Sequence, residues 1–151
     1  MRVPHRLLVC SLVFLAVSAP AQEYSSRAQR QLLAATNRER EARGLPALKW
    51  NESLAEAARR HDQVMVEHQT ISHDFPGEPS LPTRATRAGV HFSALAENVA
   101  EAPDPTQIHS LWMNSPGHRA NILDRDMDSI GIAVAERNGE FYAVEDFAKV
   151  K

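Results

Sequence analysis

Three side chains of this sequence could do chemistry in the settings they occupy: His73, Glu97 and His118. His73 lies in TISHDFPGEP, a loop segment after a long helical pattern, from which a rigid scaffold can direct a side chain into a cleft. Glu97 is the single charge in the apolar run ALAENVA, and a lone carboxylate is costly to bury unless it is paired or hydrogen-bonded. Two imidazoles and one carboxylate could form one site, although no local pattern fixes their proximity.

His118 belongs to SPGHRANIL, a segment that begins like a helix. The hydroxyl of Ser115 can cap free backbone N–H groups, and Pro116 suits the first helical position. His118 and Arg119 should then lie in the first turn. A catalytic alternative pairs Ser115 with His118 and Glu97, but an N-cap serine is held by its own backbone bonds. The sequence also contains no G-x-S-x-G or H-E-x-x-H motif.

The other histidines of the mature chain are expected to be structural or exposed. His61 and His68 fall on the apolar face of the predicted second helix, which favours packed or half-buried imidazoles. His91 and His109 are expected at surface or semi-exposed positions.

Helical patterns precede and separate these segments. The first runs through residues 32–40 and stops at Gly44, and the second starts from Asn51 as N-cap. A short helix is predicted around residues 83–88. Asp104 and the proline after it have the form of a further helix start.

Three segments are predicted as strands: residues 94–102, 129–135 and 140–148. The last two flank Asn138-Gly139, the strongest two-residue hairpin signal, because both positions tolerate positive φ. Since strands and helices do not alternate along the chain, an α+β fold with an antiparallel sheet is favoured over a parallel doubly wound one.

The first 21 residues predict export. Two arginines precede an apolar run that is too short to span a bilayer, and Ala19-Pro20-Ala21 gives an A-x-A cleavage pattern. We predict a signal peptide over residues 1–21 and a secreted or periplasmic domain over residues 22–151, without a transmembrane anchor. Retention of the segment as an anchor and lipidation of Cys10 are the alternatives.

The predicted mature chain has a composition that excludes several functions. It keeps 130 residues, with 15 basic and 19 acidic side chains and no cysteine. That length suits one domain with a core large enough to dispense with disulfides. Thiolate chemistry is excluded, and the lack of a basic tract argues against nucleic acid as a partner.

The sequence resembles the CAP superfamily (cysteine-rich secretory proteins, antigen 5 and pathogenesis-related 1) in its short, cysteine-free bacterial form. The resemblance rests on TNREREARGLPALKWNESLAEAARRHD, on Ser72-His73 with Arg84 and Gly89 after it, on Glu97-Asn98 and on WMNSPGHRANIL, followed by the strand SIGIAVA. It covers nearly the whole predicted mature chain.

The resemblance implies an α-β-α sandwich, with a small antiparallel sheet between helical layers and one central cavity. In the family this cavity is lined by two histidines and acidic residues, which here are His73, His118 and Glu97. Some members hold a divalent metal there. Two neutral imidazoles and one carboxylate could bind a divalent cation such as Zn²⁺, with water in the open position.

Supporting roles are implied for Arg119, Asn98 and Asn121, which would fix the surrounding loops by hydrogen bonds. Two positions depart from the family pattern. Ala96 replaces the usual glycine before Glu-Asn, and Ser115 stands where many eukaryotic members carry a second glutamate.

Three classes of function are compatible with these residues. The favoured one is a non-catalytic binding module for a small apolar ligand, a lipid, a glycan or a protein at the cell exterior. The alternatives are a peptidase-like hydrolase, dependent on a metal or on the serine–histidine pair, and a structural envelope protein whose polar cavity only holds the fold together.

The export prediction can be checked by intact-mass analysis of protein collected outside the cytoplasm. We expect a mature chain that begins at Gln22, because cleavage follows the A-x-A pattern. Retention of residues 1–21, or a lipid on Cys10, would contradict it.

Overall fold

The structure is a computed structural model that describes residues 19–151, with side chains from residue 26 onward. The predicted signal segment lies outside these residues except for the backbone of its last three, and it stays a prediction. None of the described helices is long and apolar enough to cross a membrane.

The described residues form five helices and four strands. The helices are α1 (Ala19–Glu41), α2 (Glu52–His68), α3 (Leu81–Arg87), α4 (Pro105–Asn114) and α5 (Pro116–Ile122). The strands are β1 (Lys49–Trp50), β2 (Phe92–Ala102), β3 (Ser129–Arg137) and β4 (Glu140–Val150). The α+β class and the three long strands are as predicted.

The strands form one sheet in the order β1-β3-β4-β2. The long strands pair antiparallel, and the β3–β4 hairpin turns through Asn138 and Gly139, with φ of 57° and 84°. The expectation of a wholly antiparallel sheet needs one correction, because β1 pairs with β3 in parallel. With only two residues, β1 has no periodic pattern by which it could have been recognised.

Helices cover both faces of the sheet. One face packs against α1, α4 and α5, with Leu32, Ile108, Trp112 and Phe147 in its core. The other packs against α2 and α3. Because β4 is covered on both sides, its residues 142–148 are all buried, including two acidic ones.

Helix starts follow the predicted capping residues, with one exception. Asn51 accepts a hydrogen bond from the backbone N–H of Leu54 at 3.0 Å, and Asp104 accepts one from Thr106 at 2.8 Å. Ser115 occupies the N-cap position of α5, but its hydroxyl makes no capping bond, contrary to expectation. Ser115 joins α4 to α5 through its main chain instead, since its N–H binds Trp112 and its carbonyl accepts from Arg119.

Gly131 in β3 lets α2 lie directly on the sheet. A Cβ at this position would lie 2.1 Å from the backbone nitrogen of Ala55 and 2.3 Å from the carbonyl carbon of Leu54. We therefore expect Gly131→Ala to lower the free energy of unfolding by about 3 kcal/mol or more in urea titrations, because backbone must move to admit the methyl group.

The matched control is Gly117→Ala in α5, where an added Cβ meets nothing within 4 Å. It should be neutral or stabilise by less than about 1 kcal/mol. Equal unfolding midpoints for the two variants would show that α2 does not contact Gly131 in this way.

Candidate binding site

The three residues singled out in the sequence lie together at the β2 edge of the sheet. His73 comes from the connection between α2 and α3, Glu97 from the middle of β2, and His118 from the first turn of α5. Nδ1 of His73 donates to Oε1 of Glu97 at 2.9 Å. The ring centroids of His73 and His118 are 6.5 Å apart, with the planes tilted by 52°. Three separate elements thus bring His73, Glu97 and His118 together. We call this group of side chains the cleft, and its role in binding stays a prediction.

The two imidazoles of the cleft have opposite pKa shifts. The hydrogen bond to Glu97 raises the pKa of His73, against the opposing effect of partial burial. Burial lowers the pKa of His118, and the nearby charge of His73 lowers it further. Between the two values, His73 is a cation and His118 is neutral, so the cleft offers a charged donor beside a ring that can donate or accept.

Glu97 is buried beneath these rings, with a side chain only 4% exposed. One of its oxygens accepts from His73 and the other forms an ion pair with Arg84, itself 2% exposed. Nε2 of His61 lies 3.7 Å away. Burial alone would raise the pKa of Glu97, but the His73 hydrogen bond and the charges of His61 and Arg84 outweigh it, and the pKa is lowered.

His61 and Arg84 extend the site to residues that the sequence reasoning did not assign to it. His61 is fully buried, and its ring nitrogens lie 2.7 Å from Oε1 of Glu78 and 2.8 Å from the carbonyl oxygen of Ser72. Arg84 contacts the same Glu78 oxygen at 3.4 Å and donates to the carbonyl of Pro79. His61 was expected only to pack. The sequence signal for a role in the site was that His61 falls on an apolar helix face and is followed directly by a second polar residue, Asp62, which is also buried in the structure.

The opposite face of β2 carries a second set of hydrogen bonds. Asn98 donates to the carbonyl of His118 at 3.2 Å and to Glu145 at 3.4 Å. Asn121 donates to Oδ1 of Asn98 and to the carbonyl of Glu97. These two asparagines have the supporting geometry that the resemblance implies. Arg119 instead donates to the carbonyl of Met113 at the surface.

Comparison with known proteins identifies the fold. A model of the cysteine-rich secretory protein family, named CAP, matches residues 33–147, a span that contains the whole cleft. The chain belongs to the CAP family. An uncharacterized protein of Bacillus subtilis, YkwD, is 32% identical over 120 residues, which are 79% of this chain and 46% of the relative.

Two solved structures illustrate the similarity. An extracellular protein of Bacillus anthracis that contains an SCP domain is 29% identical, with a TM-score of 0.77 over 85% of this chain and 42% of that one. An outer surface protein of Borrelia burgdorferi is 22% identical and has the same TM-score over 83% of this chain and 94% of that one, which shows a shared fold. This chain spans less than half the length of the B. subtilis and B. anthracis proteins.

The CAP cleft in this arrangement does not fit a tetrahedral metal. Zn²⁺ bonds of about 2 Å to each nitrogen would hold the two ring centroids roughly 5 Å apart, less than the 6.5 Å found. Both oxygens of Glu97 already accept from Arg84 and His73. Among the described residues, no three His, Cys, Asp or Glu side chains are grouped so that they could hold a metal ion. Metal binding by His73, His118 and Glu97 stays a prediction that would require the cleft to rearrange.

The alternative catalytic pair of Ser115 and His118 stays a prediction. Within the described part of the chain, the hydroxyl of Ser115 makes no hydrogen bond to the His118 ring. The remaining histidines differ in exposure. His68 and His91 are exposed, and His109 is half-buried. The His68 ring stacks on Phe75, with the ring centroids 4.8 Å apart.

Two buried acids of β4 were also missed by the sequence reasoning. Asp146 pairs with Glu97 across the strands, and burial, followed by the charge of Glu97, raises its pKa well above the ordinary value. Glu145 is fully buried among Thr36 and Asn98, and burial raises its pKa to about 8. The sequence signal was of the same kind as for Glu97, because Glu145 and Asp146 are charged residues within the otherwise apolar run EFYAVEDFA.

Replacement of Glu145 by glutamine should remove part of the pH dependence of stability. Because the pKa rises from 4.5 in the unfolded chain to about 8, folding binds this proton more tightly. Its stabilising contribution is complete below pH 4.5 and is lost as the pH rises to 8, a change of roughly 5 kcal/mol. Glu145→Gln should therefore gain stability relative to the parent between pH 5 and 8, measured by urea unfolding. Glu101→Gln is the control, because Glu101 is exposed on β2. If the free energy of unfolding changed with pH in the same way in the parent and in Glu145→Gln, the raised pKa of Glu145 would be refuted.

Proposed function

We propose that this CAP domain is an exported, non-catalytic binding module that takes a small polar ligand between His73 and His118. The observation that carries the proposal is that the rings of His73 and His118 lie on separate elements with their centroids 6.5 Å apart, next to the buried carboxylate of Glu97. The side chain of His73 is 54% exposed, and the His118 ring makes no hydrogen bond to the described residues. Both rings can therefore exchange water for a ligand.

The charges of the cleft favour a ligand that both accepts and donates hydrogen bonds. At a pH between the two pKa values, a cationic His73 donates and a neutral His118 presents one acceptor and one donor nitrogen. A hydroxyl-rich or acidic small molecule, such as a glycan fragment, has this chemistry. An apolar ligand would leave Nε2 of His73 and the nitrogens of His118 without partners, which is costly on binding.

Export is supported by the signal pattern of residues 1–21 and by the relatives. The B. anthracis structure is described as an extracellular protein, and the B. burgdorferi structure as an outer surface protein. The non-catalytic role is supported by the sequence, which contains neither a G-x-S-x-G nor an H-E-x-x-H motif.

Native mass spectrometry of protein purified from its exported fraction tests the proposal. We expect a small-molecule adduct on the parent, reduced at least tenfold in His73→Ala and in His118→Ala, because each removes one of the two rings. His91→Ala, exposed and outside the cleft, should keep the adduct. An adduct that persists in both cleft variants, or no adduct on the parent, would contradict the proposal.

A further inference from the structure

The segment that carries His73 has few backbone hydrogen bonds of its own. Residues 69–80 contain no helix or strand, and their backbone bonds lie at Gln69 and Thr70 at one end and at Phe75, Glu78 and Ser80 towards the other. Between residues 71 and 74 the described backbone groups form no main-chain pair. Ser72 makes only local contacts through its hydroxyl, to Asp74. The position of His73 must therefore be set from outside the segment.

His61 supplies that external support. From α2, its Nε2 lies 2.8 Å from the carbonyl oxygen of Ser72, the residue before His73, and its Nδ1 lies 2.7 Å from Oε1 of Glu78. The ring thus holds the segment at two points, six residues apart. Glu78 is also bound by Arg84, which pairs with Glu97. The Glu78 carboxylate therefore contacts both His61, which supports the segment of His73, and Arg84, which pairs with Glu97.

The chemistry of the two partners determines the form of the ring. A carbonyl oxygen only accepts, and so does an ionised carboxylate, so both nitrogens of His61 must donate while Glu78 is ionised. Hydrogen bonds between a charged imidazole and such acceptors are shorter and stronger than neutral ones. A packing residue on this apolar face would need neither bond, and an aromatic ring without nitrogens would fill the same space.

We infer that His61 is a positioning residue of the cleft: it fixes Ser72 and Glu78 to α2 and so sets the place of His73 beside Glu97 and opposite His118. Its effect on ligand binding rests on the proposed function, whereas the attachment of the segment is a property of the free protein. The attachment of the segment and the proposed ligand binding can therefore be refuted separately.

His61→Phe tests the attachment, because it keeps a ring of similar size and removes both hydrogen bonds. We expect cleavage by endoproteinase Asp-N between His73 and Asp74 to accelerate at least tenfold under native conditions, as residues 69–80 detach. By NMR, the titration of His73 should fall towards about 6.5, because contact with Glu97 is lost. A neighbouring imidazole, whether neutral or positively charged, does not favour a cationic His73, so a downward shift in His61→Phe reports detachment. Leu54→Ala, buried at the other end of α2, should reduce stability and leave both readouts unchanged.

The Glu78 variants test the same contact if His61→Phe does not fold. Glu78→Gln can donate to Nδ1 of a neutral His61, which then keeps both of its hydrogen bonds, while the 3.4 Å contact of Arg84 with residue 78 is lost in both Glu78 variants. Its Asp-N cleavage before Asp74 should stay within about twofold of the parent. Glu78→Ala removes the same charge without a replacement bond, and its cleavage should rise at least fivefold. Equal cleavage in the two Glu78 variants, or unchanged cleavage in a folded His61→Phe, would overturn the inference.

Native mass spectrometry then separates the inference from the proposed function. If the parent carries the adduct, His61→Phe should reduce it as strongly as His73→Ala does. If the parent carries none, the proposed function fails, and the cleavage and NMR results still decide whether His61 holds the segment.

Discussion

Burial of the Glu97 carboxylate is the constraint on which the cleft depends. A charge 4% exposed in the interior of β2 is stable only when its oxygens are satisfied, and each partner comes from a different part of the chain. Arg84 belongs to α3, His73 to the segment before it, and the nearby His61 to α2. The cost of isolating one carboxylate therefore makes three otherwise independent elements converge at one edge of the sheet.

The two faces of the sheet satisfy their polar groups in different ways. Towards α2, Arg84 and His61 contact the buried carboxylates of Glu97 and Glu78. Towards α1 and α5, Glu145 is a buried acid whose raised pKa keeps its proton near neutral pH and whose partners are a hydroxyl and an amide. Glu97 and Asn98 are consecutive in β2 and point to opposite faces, so one dipeptide links both networks.

The sequence was most informative where a local physical rule acts alone. The caps Asn51 and Asp104, the Asn138-Gly139 turn and the isolated charge of Glu97 could each be recognised from a few neighbouring residues. The resemblance added the proximity of His73 and His118, which no local pattern contains. The partners of Glu97 were harder to predict, because Arg84 and His61 become site residues only through contacts made by folding. The missing cap at Ser115 has the same origin, since α4 ends where α5 begins.

The joint at Ser115 makes the two walls of the cleft mechanically unequal. A single residue ends α4 and starts α5 through its main chain, and α4 is anchored in the core by the fully buried Trp112. The wall that bears His118 is consequently stiff, and its backbone is held again by Asn98. The wall that bears His73 is a segment without regular structure. If the proposed ligand binds here, adjustment to its size would therefore fall on the His73 side, while the position of His118 would stay fixed.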